Sequence, residues 1–221
     1  MANKHADPID GYIWEVSNLL PYPEEIKWPV LENLKKDVQD AMGEEKRPPT
    51  VVFGSPIDVA KNVSLAQNWG TKSASWTIRI LASAIDFSLS AILFIIFGLI
   101  RLVLTDFDID QVTLPLHGMD IPFGFLFVSL PIFGFMLGYF IILEQTYSTT
   151  LGKRIFGLTV VDESGIKISW NQSILRNFTK VPFLSAFLII DLFVGILSEK
   201  TRGRNQRMLD FVAGTKVIQN K

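Results

Sequence analysis

Hydrophobic and polar positions divide this chain into two regimes. Up to about residue 70 the apolar residues recur at helical spacing among many charges. Tyr12, Ile13, Val16, Leu19 and Leu20 share one face and predict a helix that Pro21 and Pro23 stop. Ile26, Val30, Leu31, Leu34, Val38 and Met42 predict a second helix. Glu24 and Glu25 suit its positive end, and Pro29 marks where it begins in earnest. Val51-Val52-Phe53-Gly54 is a short apolar run. Ser55-Pro56-Ile57-Asp58 has the cap, proline and acid of a helix start, so a third helix is expected to end near Asn68. A three-helix unit of about 55 residues is marginal alone and should dock on something.

Beyond residue 70 the pattern changes. Trp76 to Leu104 is almost wholly apolar, and a run of roughly 20 such residues is what a bilayer requires. Lys72, Ser75, Arg79, Ser83, Asp86 and Ser90 fall on one face of that helix. A polar stripe on a membrane helix must face protein or water. Arg79 lies near enough to the start to snorkel; Asp86 lies deeper. The loop Thr105 to Ile121 is acidic, and its Asp106-x-Asp108-x-Asp110 lacks the glycine and closing glutamate of a calcium loop. Pro122 to Leu143 carries no charge and predicts a second span. Within it Gly134 and Gly138 form a small-residue pair for close packing, and Glu144 and Gln145 end it at the interface. A short strand is expected over 158–162, with a turn at 163–165 and a return through Ile166-Lys167-Ile168. Ser169 or Asn171 can cap a helix. Phe183 to Leu197 is a third apolar block, only about 15 residues long and interrupted by Asp191.

Composition narrows the chemistry. The chain has 221 residues and a net charge of -1, so no nucleic-acid footprint shows. Without cysteine, and with only two histidines, thiolate and histidine metal sites are not expected, and neither is a cofactor. No Ser-His-Asp set, HExxH or complete phosphate loop occurs, so no enzyme is expected. The first interspan loop has no Lys or Arg, whereas 144–180 has five, which places the N-terminus in the cytoplasm of a multi-pass cell-membrane protein. A third full crossing would put the basic C-terminus outside. Either the block crosses regardless, or 171–197 dips in and returns at Pro182 with the C-terminus inside, the reading favoured here.

Asp86 is the sharpest candidate. A carboxylate inside a bilayer is paired with a cation or takes up a proton. In a structural role its partner would be Arg176 or Arg207; in an ionic role Asp86, Ser83 and Ser90 would line a Na⁺ or proton site. Lys153, Arg154, Arg176, Arg202, Arg204 and Arg207 are candidate contacts to anionic lipids or to a protein partner.

Four motifs resemble one family. They are Arg79-x-x-Ala82-x-x-x-Asp86, Thr150-Leu151-Gly152-Lys153-Arg154-x-x-Gly157-Leu158-x-Val160-Val161-Asp162, Leu175-Arg176-Asn177, and Gln206-Arg207-x-Leu209-Asp210-x-x-Ala213-Gly214-Thr215. Together they resemble the RDD family of membrane proteins over about residues 74–218. Arg79 and Asp86 match the first two residues of the family's name; Asp210 fits the third best, with Asp191 second. Residues 1–70, through Leu19-Leu20-Pro21, Asp37-Val38, Phe53-Gly54, Pro56 and Asp58 to Val63, loosely resemble the small helical domain called HAAS. The expected fold is all-α: a cytosolic three-helix domain followed by a polytopic bundle of two full spans and a third that is broken or re-entrant. The expected role is a membrane-embedded binding and assembly module, oligomeric or part of a complex. The alternative implied by the resemblance is sodium/proton exchange.

Overall fold

The computed structural model describes residues 7–43, 47–69, 72–104, 113–116, 119–180 and 185–220. The acidic triplet 106–110 lies outside the described residues. Helix α1 (Pro8–Leu19) starts on Asp7, whose side chain accepts the Ile9 amide at 2.9 Å. Helix α2 (Glu24–Met42) begins at its acids rather than at Pro29, which stands inside it. Being near the N-terminal end, that proline deprives only the Glu25 carbonyl of a helical partner. The apolar run 51–53 belongs to a short helix, α3 (Pro49–Phe53), with Pro49 in its first turn. Helix α4 (Pro56–Ala66) is capped by Ser55, which accepts the Asp58 amide at 3.2 Å. Four helices thus stand where three were expected.

Helices α5 (Trp76–Leu104) and α6 (Phe123–Tyr147) follow, joined through a two-stranded ribbon of β1 (Thr113–Leu116) and β2 (Met119–Pro122). Over Trp76–Ile100, α5 is long and apolar enough to cross a membrane. Next come α7 (Leu151–Ile155), β3 (Leu158–Asp162), α8 (Trp170–Asn177) and a 3-10 turn over 178–180. After α9 (Ser185–Leu197), α10 (Glu199–Arg202) and α11 (Met208–Val212), the strand β4 (Thr215–Gln219) pairs antiparallel with β3. The chain is therefore mostly helical rather than all-α. The turn at 163–165 forms, but 166–168 does not return along β3 as a strand. Instead the Lys167 amide donates to the Leu19 carbonyl at 2.8 Å, and β4 takes the ladder, with Val160 opposite Val217.

Strand alternation gives the β3–β4 pair two apolar faces. Val161 and Ile218 join a core with Val16, Leu20, Leu31 and Val38, so the N-terminal helices dock there. Tyr22 seals the contact by donating to the Gly165 carbonyl at 2.7 Å. A side chain at Gly165 (φ 84°) would strike Ser64 Oγ. On the other face Leu158, Val160 and Val217 pack against Ala74 and Ala82 of the α5 segment.

Burial inverts between the two halves. In α1 to α4 the buried positions are chiefly apolar. In α8 Ser173, Arg176 and Asn177 are buried while Trp170 and Ile174, and Phe178 just after it, are about half exposed. Helices α7, α9 and α11 repeat this: Lys153, Asp191 and Asp210 point in, and Ile155, Phe193 and Phe211 point out. Polar-in, apolar-out helices suit a hydrocarbon solvent.

Candidate functional site

The inward-facing polar residues form three knots. At the first, Asp86 is 1% exposed. Its Oδ1 accepts the Tyr139 hydroxyl at 2.8 Å and the Gly152 amide at 2.8 Å; its Oδ2 accepts the Thr150 hydroxyl at 2.6 Å. The Leu151 amide in turn donates to the Tyr139 oxygen at 3.1 Å. The Thr150-Leu151-Gly152 turn is pressed against α5 so closely that a Cβ at Gly152 would lie 2.1 Å from the Ala82 carbonyl oxygen. Glycine is required there by space. Asp86 is thus answered by three neutral donors, not by the arginine expected from the sequence.

The second knot centres on Glu144, fully buried at the end of α6. Lys153 donates to its Oε1, Lys180 reaches the same oxygen at 3.1 Å, and Arg176 Nε lies 3.0 Å from Oε2. Asn177 adds a hydrogen bond to Oε2 at 2.9 Å. Glu144 is therefore a core residue and not an interfacial stop. Its signal in the sequence is a lone acid closing a chargeless helix, but its partners lie up to 36 positions away.

The third knot centres on Asp210. Arg79 donates to its Oδ2, Arg207 Nη2 donates to Oδ1 at 2.8 Å, and Arg176 Nη2 lies 3.2 Å from Oδ1. Arg79 also donates to the Asn205 carbonyl and stacks over the Trp76 ring at 4.8 Å. It does not snorkel. Asp191 accepts the Leu209 amide at 2.7 Å and sits 3.5 Å from Arg207. Arg176 links the second and third knots.

These knots shift their members. Burial alone would raise the Asp210 carboxyl, yet Arg207, Arg176 and Arg79 hold it well below the usual range. Burial pushes the Lys153 ammonium down to about 8 against the attraction of Glu144. Lys180 is pushed well below its ordinary value, first by burial and then by Lys153, Arg207 and Arg176. Cations are crowded here because five basic side chains share three carboxylates.

The remaining sequence candidates separate. Ser83 is half-buried and lines a cavity of about 290 Å³ together with Arg79, Lys153, Arg176, Lys180 and Arg207. Ser90 donates to the Asp86 backbone carbonyl at 3.2 Å rather than to its carboxylate. Arg154 is exposed. Arg204 is exposed and pairs with Glu163 at 3.5 Å. The Arg202 side chain lies outside the described residues. Sequence reasoning assigns no site role to Tyr139, Thr150 or Lys180, since a hydroxyl or lysine beside a span reads equally well as interfacial. Among the described residues no acid or histidine cluster could hold a metal ion.

No curated protein and no solved structure matches the chain. The RDD family model matches residues 73–214, from the foot of α5 to the residue before β4. That match spans all three knots and most of the chain, so the protein belongs to the RDD family of membrane proteins.

Proposed function

We propose that this protein is a multi-pass, membrane-embedded binding and assembly module whose buried charges hold the fold. Helices α5 and α6 cross the bilayer. Helix α9, with 13 residues, is about 20 Å long and too short to cross. Its flanks meet, since Arg207 Nη2 lies 3.3 Å from the Arg176 carbonyl, which supports a re-entrant path with both termini in the cytoplasm. The N-terminal helices and β3–β4 then form the cytoplasmic face. Assembly with a second copy or another subunit is supported by Gly134 and Gly138, against which no other helix packs among the described residues.

The observation that carries this reading is the saturation of Asp86. A carboxylate that accepts three hydrogen bonds from an adjoining helix and turn is a fastener between them. Asp86→Asn places an amide against donors and should cost about 1–3 kcal/mol. Thr150→Val should cost less, and the pair should fall short of the sum in a double-mutant cycle read by thermal melting. Proteoliposomes test the same residue functionally. No sodium-driven pH change is expected from the parent protein; a flux that Asp86→Asn abolishes would replace this reading with cation exchange.

A further inference from the structure

The cavity beside Arg79 has a mixed character. Arg79, Lys153, Arg176, Lys180 and Arg207 present charge, while Ile80, Phe87 and Leu192 present hydrocarbon. Counted in their ordinary ionised forms, five cations against the three carboxylates Glu144, Asp191 and Asp210 leave an excess of two positive charges, and one remains with Asp86 ionised. Arg176 is 1% exposed, yet among the described residues its Nη1 has no hydrogen-bond partner. A buried guanidinium N–H left unpaired is costly. Both observations ask for an anion at one place.

The mouth decides which anion. Ile80 and Ala84 line the cavity and are exposed on the face that α5 turns to lipid. A small ion would fill the charged end and leave the apolar walls empty. A phospholipid fills both, with phosphate on the guanidinium fork and acyl chain along α5. The basic segments also place this site in the cytoplasmic leaflet, where anionic lipids are attracted to such residues.

We propose that this cavity binds the phosphate of an anionic membrane phospholipid, with Arg79, Arg176 and Arg207 in its cationic lining. The inference rests on the membrane-embedded reading above. The full chain in phosphatidylcholine nanodiscs provides the baseline melting temperature. Phosphatidylglycerol in the discs should raise it by about 5 °C, and native mass spectrometry should retain one phosphatidylglycerol per chain. Inorganic phosphate and glycerol phosphate should not reproduce the rise. Ala84→Trp blocks the mouth without touching an ion pair and should abolish the rise; Ile80→Trp provides a second blocker should the first fail to fold. Equal melting in both lipids overturns the proposal. So does a rise given by inorganic phosphate alone, or one that survives both blockers. Carbonate extraction reads embedding separately: a chain that stays in the membrane but ignores phosphatidylglycerol loses this site and keeps the embedded reading.

Discussion

Glu144, which no sequence pattern marks as a core residue, gathers as many cationic partners as Asp210. Three cations and one amide converge on it, so Glu144→Gln leaves those cations without their counter-charge. A cost of about 3–5 kcal/mol is expected, read as loss of folded protein in detergent. Lys153, one of those cations, gives a pH signature. Its folded value of about 8 lies below the ordinary 10.5, so the unfolded chain binds more protons between them. Stability should therefore rise as pH climbs from about 8, and Lys153→Gln should reduce that rise. Glu144 from α6, Arg176 from α8, and Arg207 before α11 face the same ammonium; Lys180, also pushed down, supplies the remainder. The sequence revealed Arg79 and Asp86, because charge is rare in apolar runs, and Asp210 through its family motif. It could not reveal that Asp86 would satisfy itself with Tyr139, Thr150 and the Gly152 amide. Neutral donors carry no such contrast, and a backbone amide carries none at all.

At the scale of elements, α7 is fixed to α5 by space. Gly152→Ala would drive a methyl into the Ala82 carbonyl, and the backbones would have to part. Loss of several degrees of melting temperature is expected, with the Asp86 hydrogen bonds weakened together. Gly138 presents the opposite case, since its Cβ would meet only Ile142 of its own helix, at 4.0 Å. Gly138→Leu should leave melting of the isolated chain nearly unchanged while reducing self-association, measured by single-molecule photobleaching in liposomes. The periodicity exposed helices α1, α2 and α4, because each buries a continuous stripe, while unbroken apolar length exposed α5 and α6. Strand β3 was visible too, but its partner was assigned to the nearby 166–168 segment. Strand pairing is decided by long-range packing, and Val161 with Ile218 makes the β4 register the one that the N-terminal helices can cover.

For the whole molecule, burial is chiefly apolar in α1 to α4 and in the β3–β4 pair, and chiefly polar in α7, α8, α9 and α11. Introduced cysteines at the exposed Asn18 and Arg204 should both be labelled from the cytoplasmic side of sealed vesicles, and neither from outside. Labelling of Arg204→Cys from outside would make α9 a full crossing. The charge bias of the loops already pointed to this arrangement, but the length of the third block alone left it undecided. The contact between residues 176 and 207 is what favours a return. The pairing of Arg79 with Asp210 has a further result in time. The two are 131 positions apart, so at ordinary ribosomal speeds the arginine reaches the bilayer roughly ten seconds before its aspartate has been made. Through that interval the nascent helix must be escorted by lipid phosphates, by water or by the insertion machinery, and its final seating has to wait until translation has passed Asp210.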